Sequence, residues 1–427
     1  MNQETKELFS FIIGQRIKVL RKEMKISQTD LGKALGSQSL ISLIESGKQI
    51  PVRDVLENLA DRLNDPLLHS YVKEFKTETS TFEDILQNHK DSIISALLSY
   101  NGKWDKLHGD ISIGLCEDYY KEHSFDNVRN LCKKIMNHIS DDAILGKSMF
   151  YYGSVFLFEF SYNEAKKWLV LAEKHLDSLN DSFKSRLLYN LGYVHEQQHN
   201  HSLALWYAKL AAEKSLQCKN YVLYTKSLGL LGITEHRLGN FSESYKSLQD
   251  AYRLMSQTGE SLDKARIECS ISEVLLSLEK YTESEEWSLK AAETGSAVND
   301  SLAVCMALEN ISIIKCKQGH YIDARQVLEN AIQIAKEIAD KVSLAQLYLL
   351  GSRIPSTQES QLEFAQNSFD IVNQSDNILL KIMAAEQISK LHSDENVRNL
   401  FQQESLVLYR KYIKQTSHST LLSILQD

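Results

Sequence analysis

Five in-phase copies of a pattern about 40 residues long constrain this chain more than any other feature. Small residues recur at Gly153, Gly192, Gly232, Ser272 and Ser312, at intervals of 39, 40, 40 and 40. A second small series keeps the same phase through Ala172, Ala211, Ala251, Ala291 and Ala331. Between them stand the rings Tyr162, His201, Phe241, Tyr281 and Tyr321. Each ring is followed three positions later by Ala165, Ala204, Ser244, Ser284 or Ala324. Such a period marks stacked units that cannot bury their apolar faces alone. With three prolines in 427 residues and no sustained strand-like alternation, the predicted fold is all-α.

The motif, a small residue, then ring-x-x-Ala-x-x-x-Leu-x-x-Ala, resembles the tetratricopeptide repeat. A period near 40 instead of the usual 34 or so implies longer helices in each pair. A weaker copy precedes the series (Cys116, Phe125, Val128, Cys132, Ile135), and degenerate ones follow through 345–380 and 382–415. The resemblance implies a right-handed solenoid with a concave inner wall, a surface that usually holds peptides or helices. Three segments follow: residues 1–68 as a head, 69–95 as a polar linker and connecting helix, and 96–427 as the repeat domain.

The head reads as a helix-turn-helix. Ser27 starts a helix with Asp30 at its third position, a capping signal. Leu31, Ala34 and Leu35 then face inward, and Gly36 breaks the helix. Ser37 or Gln38 opens the next one, with Leu40 or Ile41 and Ile44 as its buried stripe. Gly47 closes it with a residue able to take positive φ. Two short helices across a tight turn are the unit that lays a recognition helix in the major groove.

Ile-x-x-Leu-Arg, Ser-Gln-x-x-Leu and Ile-Ser-x-Ile-Glu-x-Gly-Lys all occur within about residues 11–65, and this set is similar to the Cro/repressor-type (XRE) domain. The resemblance implies a five-helix head in which Gln28 and Lys48 hold phosphates while Gln38, Ser39 and Ser42 reach base edges. Leu40 and Leu43 stand where that family often has polar readers, leaving thymine methyls as their contact. Leu31 to Glu45 is one residue shorter than in phage repressors and looks like the turn of the RRNPP peptide receptors. Together with the repeats, the whole chain resembles that family, in its longer NprR-like branch. What this implies is a cytosolic quorum-sensing transcription regulator that binds double-stranded operator DNA and a short signalling oligopeptide, and works as a homo-oligomer, expected to be a dimer.

Charge agrees with a DNA-binding head. Between residues 14 and 53 eight cations and three acids make +5, inside a chain of net −8, so the rest sums to −13. A basic module on an acidic body suits local, salt-sensitive DNA binding. The six cysteines show no CxxC spacing and read as small buried residues of a reducing cytosol. No apolar leader opens the chain, and no stretch reaches the roughly 18 apolar residues of a membrane span.

Candidate groove residues follow the repeat phase. Six positions before the small residue come Lys147, Arg186, Lys226 and Arg266, a cation ladder ending at Met306. Surface solvation explains any one of them; four in register are harder to dismiss. Two positions before it come Asn190, Leu230, Ser270 and Asn310. An asparagine amide can grip peptide backbone or instead bond between repeats, and both readings stand. Asn190 and Asn310 match the position where RRNPP receptors hold their peptide. Tyr193, Glu235, Arg237 and Glu309 are placed to set side-chain preference.

Two rival readings exist. His195-Glu-Gln-Gln-His199 fits the zinc-protease spacing, with Glu213 as a weak third ligand. The repeat phase puts His195 on a packed side and His199 at the hairpin end, and no Gly-rich phosphate loop, paired-carboxylate site or nucleophile–base arrangement stands out elsewhere, so no metal, cofactor or catalytic residue is expected. The other rival comes from the resemblance: some relatives dephosphorylate or sequester response regulators through helices before the repeats. Residues 69–145 would carry that surface, with Gln87 a candidate for positioning water.

Overall fold

The computed structural model describes residues 3–33, 35, 37–65, 68–69, 71–72, 90–100, 104–258, 263–373 and 377–424. Among these, every regular element is helical. Ala34, Gly36 and Gln87 lie outside the described residues, as does most of the expected linker. The chain divides into two compact units, Met1–Val194 and His195–Asp427.

The first unit opens with α1 (Gln3–Glu23), α2 (Gln28–Lys33), α3 (Gln38–Glu45) and α4 (Arg53–Leu63). Beyond α4, residues 68, 69, 71 and 72 are helical, which is all that is described of the expected fifth helix. Ile12, Ile13, Ile17, Leu31, Ile41, Ile44, Leu56 and Leu59 make the head's core. Each such side chain contributes roughly 1.5–3 kcal/mol when fully buried. At Gly14 a Cβ would stand 2.0 Å from the Ile44 carbonyl oxygen, so α1 and α3 touch backbone to backbone. Leu35, expected to point inward, is only half-buried; of the alternatives Leu40 and Ile41, it is Ile41 that joins Ile44 in the core, while Leu40 is half-buried.

Next come α5 (Lys90–Ser99), α6 (Lys106–Lys121), α7 (Phe125–His138), α8 (Asp142–Phe158), α9 (Tyr162–Glu173) and most of α10 (Asp181–Gln197). The head is seated on them. The Phe11 ring meets Tyr100 at 5.6 Å and His108 at 4.4 Å, both edge-on. His108 is itself fixed by a reciprocal cap with Asp105 at the start of α6.

The second unit continues with α11 (His201–Gln217), α12 (Tyr221–Arg237), α13 (Phe241–Thr258), α14 (Lys264–Ser277) and α15 (Tyr281–Ala297). After them come α16 (Ser301–Lys317), α17 (Tyr321–Glu337), α18 (Lys341–Gly351), α19 (Gln358–Asn373), α20 (Ile378–Leu391) and α21 (Glu395–Ile424). The repeat phase is realised in detail. Each ring residue of the pattern is the first residue of a second helix: α9, α11, α13, α15 and α17. Ala165, Ala172, Ala204, Ala211, Ala251, Ala291, Ala324 and Ala331 are all fully buried. Where the pattern substitutes serine, the hydroxyl bonds across the pair: Ser244 to the Gly232 carbonyl at 2.6 Å, Ser272 to Ser284 at 2.8 Å, Ser312 to Ala324 at 2.8 Å. A methylene-sized hydroxyl that finds a carbonyl costs little in a tight crossing.

Turns recur with the same phase. Phe160, His199, Gly239, Glu279 and Gly319 all adopt positive φ two residues before the ring, ending each first helix with a left-handed residue. Four cysteines are buried as expected; Cys218 and Cys316 are half-buried. No helix of the described residues is long and apolar enough to cross a membrane.

Candidate functional site

In the head, Ser27 caps α2 as the sequence implies, its Oγ accepting from the Asp30 N–H at 3.0 Å. Ser37 caps α3 in the same way, through the Leu40 N–H. Gly47 takes φ +71 just beyond α3. With Ile41 and Ile44 fully buried, the helical period turns Gln38, Ser39, Ser42 and Leu43 outward, and all four are exposed, as is Lys48. This is a short helix with a polar, solvent-facing row and one leucine in it.

The row is held from beneath by Glu45. Its carboxylate is almost completely buried and receives two hydrogen bonds from Arg21, from Nε at 2.5 Å and Nη2 at 2.9 Å. Gln28 donates its Nε2 to the same carboxylate at 2.7 Å, and Gln15 donates to the Glu45 carbonyl at 3.2 Å. One acid thus ties α1, α2 and α3 together. Donating to the Glu45 carboxylate, against the cost of burial, raises the pKa of the Arg21 guanidinium still further. Gln28, expected at a phosphate, therefore has its amide nitrogen committed inside the head. Sequence reasoning passed over Glu45 as a functional residue, although Ile-Glu-x-Gly-Lys displays it. Four of the head's cations are paired internally: Arg16 with Asp65, Arg21 with Glu45, Lys33 with Asp30, and Arg53 with Glu57.

In the first unit's repeats, Lys147 lies 5.2 Å from the Phe183 ring centre. Arg186 sits among Phe150, Tyr151 and Phe183, at 5.0 to 5.4 Å from their centres, with Glu117 at 3.7 Å. Asn190 donates its amide to Ser154 Oγ at 2.9 Å. The hydroxyls of Tyr193 and Tyr162 are bonded to each other, and burial with that contact raises the Tyr162 pKa.

In the second unit, Lys226 pairs with Asp263 at 3.1 Å and Arg266 with Asp300 at 2.9 Å. Asp263 and Asp300 are the N-cap residues of α14 and α16, so these two rungs staple one repeat to the next. Asn310 is buried and donates to the Cys269 carbonyl at 3.1 Å, again between repeats. Both asparagines thus make the inter-repeat bond that the sequence left open. Glu235 accepts from Ser247 at 2.9 Å, and burial raises its pKa. Arg237 stands 3.4 Å from Glu273 and 4.0 Å from Glu196. Glu309, pressed by burial and by the Glu273 charge against some relief from Arg237, has its pKa pushed up to about 7. Glu273 follows the small residue Ser272 just as Tyr193 follows Gly192, so the repeat phase contained the signal for it.

The zinc-protease spacing dissolves on folding. His195 is buried with its ring stacked on Tyr207 at 5.4 Å, while Glu196 is bonded to His201 at 2.9 Å. His199 has φ +59 beyond the end of α10, so the two histidines do not share a helix face.

Residues 17–66 match the helix-turn-helix family HTH_3. The whole fold is similar to a Rap protein solved with competence and sporulation factor: 15% identity, TM-score 0.57, over 85% of this chain and 96% of that one. It is also similar to the apo quorum sensor NprR from B. thuringiensis, at 13% identity and TM-score 0.55, over 85% and 97%. The fold is shared with these helical-repeat proteins. A third likeness within this group is aspartyl phosphate phosphatase F from Bacillus subtilis, at 15% identity and TM-score 0.50, over 97% and 94%. No curated protein matches the chain. At these identities the likeness establishes the fold: a helix-turn-helix segment followed by a helical-repeat solenoid.

Proposed function

We propose that the chain is a cytosolic, quorum-sensing transcription regulator. It binds specific double-stranded DNA through α3, as a homodimer, under the control of a short oligopeptide held on the repeats. The observation that carries this reading is the outward row Gln38, Ser39, Ser42 and Leu43, seated on the buried Arg21–Glu45–Gln28 network. A protein of similar fold, NprR, was solved in complex with its cognate peptide NprX, which supports the ligand class. In mechanism, a dimer presents two α3 helices about 34–36 Å apart, or a multiple of that. A peptide shifts that spacing only as far as it binds the two arrangements with different affinity.

DNA recovered from fragmented host genome by the purified protein supplies the operator for an anisotropy titration across a salt series. Affinity is expected to fall steeply with salt, since the head's cations displace counterions. A flat salt dependence would defeat the DNA reading. Replacing Gln38 and Ser39 together by alanine should lower operator discrimination roughly 10- to 100-fold, with random DNA bound as before. Lys48→Ala should weaken both alike.

For the peptide, native mass spectrometry of protein from its own host identifies a co-purifying ligand. Arg186→Ala or Asn310→Ala is then expected to weaken that peptide about tenfold or more, the value of one charge-assisted or buried polar contact. Melting curves on the same variants separate that loss from the loss of the bond between Asn310 and Cys269. The likeness to a phosphatase supports a second reading, action on a response regulator through residues 69–145. Release of phosphate from a phosphorylated response regulator, with no DNA bound, would select it.

A further inference from the structure

We infer that the base pairs lying under α3 are A·T pairs, with adenine held by the Gln38 amide and a thymine methyl met by Leu43. This deepens the DNA reading above and rests on it. The chemistry of the outward face carries it. At about 100° per residue, burial of Ile41 and Ile44 turns Ser39, Ser42 and Leu43 straight outward, with Gln38 on one flank. Leu40, the other leucine of the helix, falls on the opposite flank and is half-buried. Among the eight residues of α3 a single one is charged, Glu45, and it is buried and bonded to Arg21 beneath. The solvent-facing side of the helix thus bears neither cation nor acid.

That leaves few ways to tell one base from another. Guanine shows two acceptors in the major groove, O6 and N7, and its commonest reader is a bidentate arginine or lysine. Cytosine shows an N4–H donor that suits a carboxylate, and Glu45 is turned inward. Adenine shows N7 as acceptor and N6–H as donor, a pair that a glutamine amide matches with one N–H and its carbonyl oxygen. Thymine adds a methyl group, which takes an apolar contact. A serine hydroxyl both donates and accepts, so Ser39 and Ser42 suit either pair and select neither. Discrimination falls on the two longer side chains of the row, and both favour A·T. Leu43 is 41% exposed among short hydroxyl side chains, which let α3 approach until the leucine methyls touch a base.

Attraction for the duplex comes from elsewhere in the head. Lys22, Lys25 and Lys48 are exposed and stand outside its four arginine and lysine ion pairs. None of them is on α3. Cations of this kind meet phosphates, which fix register without reading sequence and leave selection to the uncharged row.

Duplexes selected from a random-sequence pool by the full-length protein are the probe, and anisotropy on the selected duplex gives the affinities. Each half-site is expected to hold a short core of A·T pairs. Deoxyuridine in place of thymine, one position at a time, removes only the methyl. It should weaken the parent about fourfold at a core position, the value of one buried methyl. Leu43→Ala should bind the thymine and deoxyuridine duplexes equally. 7-Deazaadenine removes N7 and should weaken the parent about fivefold or more at one core position, a change that Gln38→Ala should not feel. Both side chains are exposed, so the variants should melt with the parent. A core of G·C pairs that loses affinity with 7-deazaguanine, a parent indifferent to deoxyuridine, or an equal loss in Leu43→Ala would each overturn the inference and leave DNA binding standing. A pool from which nothing is selected defeats the DNA reading and this one with it.

Discussion

Glu45→Ala is expected to unfold the helix-turn-helix while leaving the repeats folded. Glu45 is nearly fully buried, and its side chain holds Arg21, itself mostly buried, together with Gln28. Removing one partner strands a guanidinium in a low-dielectric interior, at a cost of about 3–5 kcal/mol. Such a loss is comparable to the whole stability of a head this small. Hydrogen exchange resolved by segment is the measurement. Protection should vanish across residues 10–63 and persist across 201–373. Glu45→Gln, which keeps the shape and one acceptor, should fall between. A head that stays protected in the alanine variant would show that apolar packing around Ile41 and Ile44 suffices without the network.

The second large effect is a pH dependence centred on Glu309. Its carboxyl is raised in the fold to about 7, first by burial, then by Glu273, with Arg237 acting the other way. The sign follows from proton binding. Below the ordinary glutamate range both states carry the proton, and the group contributes nothing. As pH rises toward 7 the unfolded chain releases its proton while the folded one keeps it, so stability falls. Above that value the penalty is complete, up to about 3 kcal/mol. Glu309→Gln should therefore flatten the pH profile of melting between roughly pH 4.5 and 7 and stabilise the protein at pH 8. If parent and variant gave parallel profiles, Glu309 would be ionised in the fold throughout. The same group stands beside Arg237 on the repeats, so peptide affinity is expected to share its pH range if the peptide lies there.

The repeat was legible because its cause is local and recurs. A small residue is needed wherever two helices cross closely, and the chain repeats that demand every 40 residues or so until the phase is unmistakable. Ring, alanine and serine positions then fell on helix starts and buried crossings without exception among those named. The α3 row was legible for the same reason, since burying Ile41 and Ile44 leaves only one side for Gln38, Ser39 and Ser42.

Side-chain commitments were not legible. The Gln28 amide suits a phosphate or a neighbour alike; only the approach of α3 to α1, with Gly14 against Ile44, brings Glu45 within its reach. Lys226 and Arg266 stood in a ladder by phase, yet their partners Asp263 and Asp300 lie 37 and 34 residues on, an uneven spacing that no period reveals. Asn190 and Asn310 carried two readings because an amide bonds equally well to a guest or to the next helix. Helical period and small-residue phase are properties of the backbone that neighbours in sequence share, so the amino-acid order alone decides them. A hydrogen bond or an ion pair needs two groups within about 3 Å, and that distance is created when the units pack.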